Sequence, residues 1–287
     1  MTILLAVGAA IGWGAADFFG GFSRRETPVF VVLAVSQLIG LVVLVPALVA
    51  RGVPPPGNAQ LLLACLAGIG VTLELRFIYF AISRGDAFLT PAVGALGATL
   101  AVIVGLIGGD RPGPAIATGM LCAVVGGALS AWTSRNHRGS RDHTSMLGQA
   151  AICAAGATGV SIMLVSLHAA GRVDPYWATA LVDVSTLVPA AVAAAAGQRR
   201  AVLCRLPHRG QLPALGLGAI AGAAGDLAYA VASHRGALSI VSALSSLYPL
   251  TTVALGITIQ RQRPTRLQTL GIALALTGAV LLGAASR

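Results

Sequence analysis

The chain has 287 residues, of which 56% are hydrophobic and only 10% charged. Soluble domains carry roughly 25% charged residues, so the composition excludes an ordinary soluble enzyme, and the mean hydropathy of +0.84 agrees. The net charge of +10 is carried wholly by arginine, since the chain has no lysine. The absence of lysine excludes lysine-dependent chemistry, and the arginines lie almost wholly in short gaps between apolar runs rather than in one patch, which argues against a nucleic-acid partner.

A spanning helix needs ~20 apolar residues to cross ~30 Å of hydrocarbon. Ten segments qualify: 2–22, 29–50, 59–83, 86–108, 113–133, 147–168, 175–196, 213–234, 237–260 and 264–285. Strand-like alternation is absent. The predicted fold is therefore an all-α integral membrane protein with about ten transmembrane helices.

The first segment lacks a basic n-region and carries Trp13 and Asp17, so it reads as a span and not as a cleavable signal peptide. Trp13 and Asp17 are four apart and share a helix face. An indole and a carboxylate on one face suit a cationic or aromatic solute; the alternative for Asp17 is a solvated helix-end acid near Arg24 or Arg25.

The third segment carries Glu74 and Arg76, whose i, i+2 spacing puts them on different faces. Tyr79 follows Arg76 by three. Pro91 would bend the start of the fourth segment. Asp183 lies about two turns into the seventh, with Ser185 and Thr186 on other faces. In the eighth, Tyr229 follows Asp226 by three, so charge and phenol share a face in both places.

Each ionisable group at membrane depth costs roughly 2.5–3.5 kcal/mol on insertion scales and is expected to face a cavity or a partner. In the ninth segment, Pro249 follows Tyr248 and frees the carbonyl of Ser245. The predicted kink would place Ser245, Ser246 and Tyr248 along a path. Gly8–Gly12, Gly105–Gly109 and Gly218–Gly222 have the spacing of close helix packing.

Cys65, Cys122, Cys153 and Cys204 show no metal spacing with the histidines and are expected as free, buried residues. His168 and His234 end spans and are expected to snorkel. No metal and no cofactor is expected.

The two halves match in order. Leu44–Ala50 (LVPALVA) corresponds to Leu187–Ala193 (LVPAAVA), Tyr79 to Tyr229 and Arg111-Pro112 to Arg263-Pro264. The predicted units are 2–133 and 147–285, each with five spans. An odd number inverts the second unit, and folds of that kind hold their substrate near the midplane between the repeats.

The same register pairs Arg76 with Asp226. It leaves open a gating or proton-sensing pair, a static packing pair, or no contact. Alternating the gaps puts 13 arginines on one side and 5 on the other. The positive-inside rule then places the 13-arginine side in the cytoplasm and both termini outside.

Several stretches carry a family resemblance. They are Gly12-Trp13-Gly14 with Ala16-Asp17-Phe18, the run from Tyr79 to Ala98, Gly109-Asp110-Arg111-Pro112, Ser242–Gly256 (SALSSLYPLTTVALG) and Gln268–Leu282. The chain resembles the ten-helix EamA family of the drug/metabolite transporter superfamily along essentially its whole length. Gln260-Arg261-Gln262-Arg263 departs from the Glu-Arg usual there, so no acid is required at that place. The resemblance implies secondary transport of small metabolites or drugs, most often export, and cytoplasmic termini, against the arginine count.

The expected function is a secondary transporter in a bacterial inner membrane. It would export amino-acid-like, zwitterionic or cationic solutes, as a monomer or homodimer, with protons as the coupling ion or as a facilitative carrier. An intramembrane enzyme is the first alternative, and the sequence offers it no HExxH, GxSxG or cofactor loop. A non-transporting scaffold or sensor is the second.

Overall fold

The computed structural model describes residues 1–23, 29–83, 90–130, 146–193, 209–261 and 265–285. They form eleven helices and, among the described residues, no strand. These are α1 (Thr2–Ser23), α2 (Val29–Arg51), α3 (Asn58–Ser83), α4 (Thr90–Ile107), α5 (Pro114–Ser130) and α6 (Met146–Gly171). They continue with α7 (Pro175–Ala193), α8 (Leu212–Arg235), α9 (Leu238–Ser245), α10 (Tyr248–Gln260) and α11 (Arg266–Ala285).

Among the described residues, six stretches are both long and apolar enough to cross a membrane, and Leu96–Ile107, Pro114–Leu129 and Arg266–Leu282 are shorter apolar helices. Large apolar side chains point outward: Val42 is 73% exposed, Val49 75% and Ile107 81%. Serines, threonines and Asp183 are buried instead. That reversal of the soluble pattern is what a lipid surround requires.

One predicted span divides in two. α9 stops at Ser245 and α10 restarts at Tyr248, with Ser246 and Leu247 between. The interruption is two residues long, both keep right-handed helical angles, and Leu238–Ile259 remains one apolar stretch. Pro249 falls at the second position of α10, where its missing N–H is one the helix start would leave unpaired anyway.

Local chemistry sets other ends. Asp174 accepts the N–H groups of Tyr176 and Trp177 and caps α7. Thr265 and Gln268 exchange hydrogen bonds in a capping box that opens α11. Arg261 adopts a left-handed φ of 54° after α10.

The most extensive pairings are α1 along α8, α3 along α6, and α5 along α11, followed by α4 against α6 and α2 against α7. Glycine makes them possible. A Cβ on Gly12 would lie 2.5 Å from the Ala221 carbonyl and 2.7 Å from Gly225 Cα. One on Gly159 would lie 2.6 Å from Glu74 N and 2.8 Å from the Gly70 carbonyl. Backbone meets backbone at both crossings. The Gly105–Gly109 spacing has a different outcome, since Gly109 is a turn residue with φ of 107°.

Cys65, Cys122 and Cys153 are free and half-buried rather than fully buried. His234 is exposed, but His168 is 7% exposed and lies inside the bundle instead of snorkelling, because α6 continues past it to Gly171.

Candidate functional site: a polar cavity at mid-bundle

A cavity of about 180 Å³ lies where α1, α3, α6 and the α9–α10 break meet. An adjoining space of about 130 Å³ leads from it between α1, α2 and α8. Both share Asp17, Gln37, Leu75 and Asp226. The second space reaches Gly20, Val32, Leu215 and Gly218, near the end of α1 and the starts of α2 and α8. It therefore runs toward the face that carries the arginine-rich gaps.

Trp13 is the hub of the cavity wall. Its Nε1 donates to Asp226 Oδ1 at 2.7 Å, and its ring stands 5.3 Å from that of Tyr229. Asp17, one turn on, is exposed and lines both spaces, as the shared face with Trp13 predicts. Gly225 is what lets the indole approach α8, since a Cβ there would sit 2.8 Å from Trp13 Cδ1. Glu74 is half-buried and lines the cavity from α3.

The break between α9 and α10 supplies Ser245, Ser246 and Tyr248. Ser245 is directed at the Ala6 carbonyl, 3.4 Å away, and Ser246 donates to the Ala243 carbonyl at 2.6 Å. The Tyr248 phenol lies against Gly94 of α4, which has no side chain to exclude it.

Tyr229 is fully buried beneath this wall. Its hydroxyl donates to the Leu164 carbonyl and meets Ser242 Oγ, each at 3.0 Å. It lies past Asp226 along α8, on the side away from the arginine-rich face, and we read this junction of three helices as the seal of the cavity.

Beyond the seal, at the opposite face, Arg51 holds Asp174 at 2.8 and 3.1 Å and stacks 4.3 Å over the Tyr176 ring. Gln60 donates to the carbonyls of Ala170 and Asp174, and Trp177 to that of Val53. These bonds join α2 and α3 to α6 and α7 on that face.

Two expectations are corrected. Arg76 is exposed and is not among the cavity residues, while Asp226 is bonded to Trp13, so the Arg76–Asp226 pair does not form. Glu74 occupies the cavity face, and its i, i+2 neighbour must then turn away. Asp183 is 1% exposed, but it packs beside Gly40 and Ala223 and does not line the cavity. Its Oδ2 has no hydrogen-bond partner.

The side chains of Tyr79 and Pro91 lie outside the described residues, as does Cys204. Sequence reasoning missed Gln37 and Ser36. Their signal was present, as the only polar side chains between Val29 and Val45.

An all-helical chain with a lipid-type surface, an interrupted helix and a polar mid-bundle cavity defines a multi-pass membrane protein of transporter type. Residues 146–284 match the EamA-like transporter family, which places the chain in the EamA drug/metabolite transporter superfamily. No curated protein matches it. Among solved structures, one titled "Crystal structure of protein" has the same fold: the TM-score is 0.72 at 21% identity, over 100% of this chain and 99% of that one.

Proposed function

We propose that this protein is a secondary transporter that exports small zwitterionic or cationic solutes by alternating access across a bacterial inner membrane. The observation that carries the reading is the one-sided cavity. We read it as opening toward the arginine-rich face, because the second space leads that way, and as closed beyond Trp13 and Asp226, because the Tyr229 hydrogen bonds tie three helices together there. Positive-inside bias makes the open face cytoplasmic, where an exporter loads. The carboxyl groups of Asp17, Glu74 and Asp226 with the Trp13 indole favour an ammonium-bearing solute.

Two inverted five-span units, 2–133 and 147–285, are part of the reading. The crossing of α1 on α8 is mirrored by that of α6 on α3, and α5 meets α11 as its own counterpart. The backbone contacts Gly12 with Ala221 and Gly225, and Gly159 with Gly70 and Glu74, equate α3 with α8 at an offset of 151 residues. That register pairs Asp226 with Leu75, which lines the same cavity, rather than with Arg76. The unequal membrane acids, Glu74 in one half and Asp226 in the other, suit proton coupling through Asp226.

The test compares spent medium from cells producing wild type or Asp226→Asn at matched membrane levels, by untargeted mass spectrometry. A small ammonium-bearing metabolite enriched only by wild type is expected. Transport by the variant should also lose its response to an imposed pH gradient; an unchanged response would remove Asp226 from coupling. No enriched solute, and no uptake by reconstituted protein, would favour a scaffold or sensor.

A further inference from the structure

Among the described residues, four buried polar atoms beyond the Tyr229 seal have no hydrogen-bond partner: Gln60 Oε1 at the closed face, and His168 Nδ1, Ser233 Oγ and Ser239 Oγ between it and Tyr229. The latter three residues are 7%, 1% and 0% exposed. Buried polar groups in native proteins are almost always paired, with protein or with ordered water. Three orphans in one region of an apolar bundle therefore require a ligand.

Their positions are related. The Tyr229 hydroxyl joins three helices, through Leu164 of α6 and Ser242 of α9 to its own α8. Each of the three lies one turn further along one of those helices: His168 follows Leu164 by four, Ser233 follows Tyr229 by four, and Ser239 precedes Ser242 by three. α6 and α8 run toward the closed face and α9 runs away from it, so all three steps point the same way.

On α8 the residues Asp226, Tyr229 and Ser233 fall at i, i+3 and i+7, which is one helix face. Further out, Asp110 accepts the Ser239 N–H at 2.9 Å. His168 lies within electrostatic reach of Asp110 and of Arg172. A polar stripe thus continues from the cavity, through Tyr229, to the opposite surface.

We infer that His168, Ser233 and Ser239 form a hydrated station in the closed half of the permeation path, occupied by ordered water that bridges the three orphan atoms. A water needs two to four polar partners, and three such groups lie one turn beyond the Tyr229 junction on three adjoining helices. Tyr229 separates the station from the open cavity. When the seal parts, the same atoms would offer the solute hydrogen bonds in place of water. The inference rests on the transporter reading for its purpose, but the hydration itself does not depend on flux.

The experiment uses full-length protein in liposomes, with Cys65, Cys122, Cys153 and Cys204 replaced by alanine. Ser233→Cys and Ser239→Cys are treated with the membrane-impermeant reagent 2-(trimethylammonium)ethyl methanethiosulfonate. Val241→Cys and Ala243→Cys, at buried positions of α9 in the apolar core, are the controls. Labelling of the two serine sites at least tenfold faster than the controls is expected. Rates equal to the controls would overturn the station.

Should the cysteine variants fail to fold, X-ray radiolytic footprinting of wild type decides. His168, corrected for intrinsic reactivity, should be modified at least tenfold faster than its buried neighbour Leu167, and equal protection overturns the inference. Solute flux in the same liposomes is scored separately. Labelling without flux keeps the station and removes the transporter reading; flux without labelling does the reverse.

Discussion

Asp174 ties the closed face together, and its loss has a size that can be worked out. Its Oδ1 accepts two N–H groups of α7, at 3.0 and 2.9 Å, and its carboxylate grips Arg51 at two points. Removing an N-cap costs about 0.5–2 kcal/mol. The ion pair is partly screened, with side-chain exposures of 33% for Arg51 and 13% for Asp174; its two-point geometry puts it near the upper end of the ~0.2–1 kcal/mol range for such pairs. Asp174→Ala should therefore cost roughly 1–3 kcal/mol, by summing those two ranges. Asp174→Asn keeps the cap acceptor and should lose only the pair.

The pH dependence of this site has a definite sign. Burial pushes the Asp174 carboxyl up, but hydrogen bonds from Arg51 and from the Trp177 and Tyr176 backbone outweigh it and hold the group below its ordinary value of 3.8. A lowered folded-state pKa stabilises the fold above the unfolded-state value. That contribution fades as pH falls through the folded-state value. The wild-type advantage over Asp174→Asn should be complete at about pH 6 and shrink below about pH 4.

Thermal unfolding in detergent measures this, using wild type, Asp174→Ala, Arg51→Gln, Asp174→Asn and the Arg51→Gln/Asp174→Asn double variant. A double-variant cycle isolates the pair. A coupling of zero near pH 6, or an alanine variant as stable as the asparagine one, would refute the reasoning.

Two further outcomes follow from the cavity and the crossings. Trp13→Phe keeps an aromatic ring near Tyr229 but deletes the donor to Asp226. A hydrogen bond of this kind contributes about 0.5–1.5 kcal/mol net, so with Asp226 no longer held in the cavity wall KM for the transported solute should rise roughly two- to tenfold at unchanged membrane abundance. The same change in an Asp226→Asn background should do little, and equal effects in both backgrounds would exclude the coupling. Gly159→Ala drives a Cβ into the α3 backbone and should destabilise by about 1–3 kcal/mol. Gly216→Ala, in the α8 helix with open space around it, should be neutral or stabilise by up to about 1 kcal/mol. Thermal unfolding of the pair compares them, and the reverse ranking would contradict the crossing geometry.

The sequence by itself determined the helices. Apolar length sets where a chain can cross a bilayer, so the ends of α2, α3, α6 and α8 fall within a few residues of the predicted spans. It also determined that Trp13 and Asp17 line the same cavity, since four residues along a helix share a face whatever surrounds it. The family was legible in short motifs, and the match over residues 146–284 bears that out.

Tertiary structure alone decided which side chains meet between helices. Helical periodicity says that Glu74 and Arg76 point apart, but only the packing of α3 against α6 selects Glu74 for the cavity. The bond from Trp13 to Asp226 spans 213 positions of sequence. It exists because Gly12 and Gly225 let α1 and α8 touch backbone to backbone. A one-residue difference in the register of two helices rotates every side chain by about 100°. That rotation is why an Arg76–Asp226 match read from aligned halves did not become a contact, and why the cavity had to be found in three dimensions.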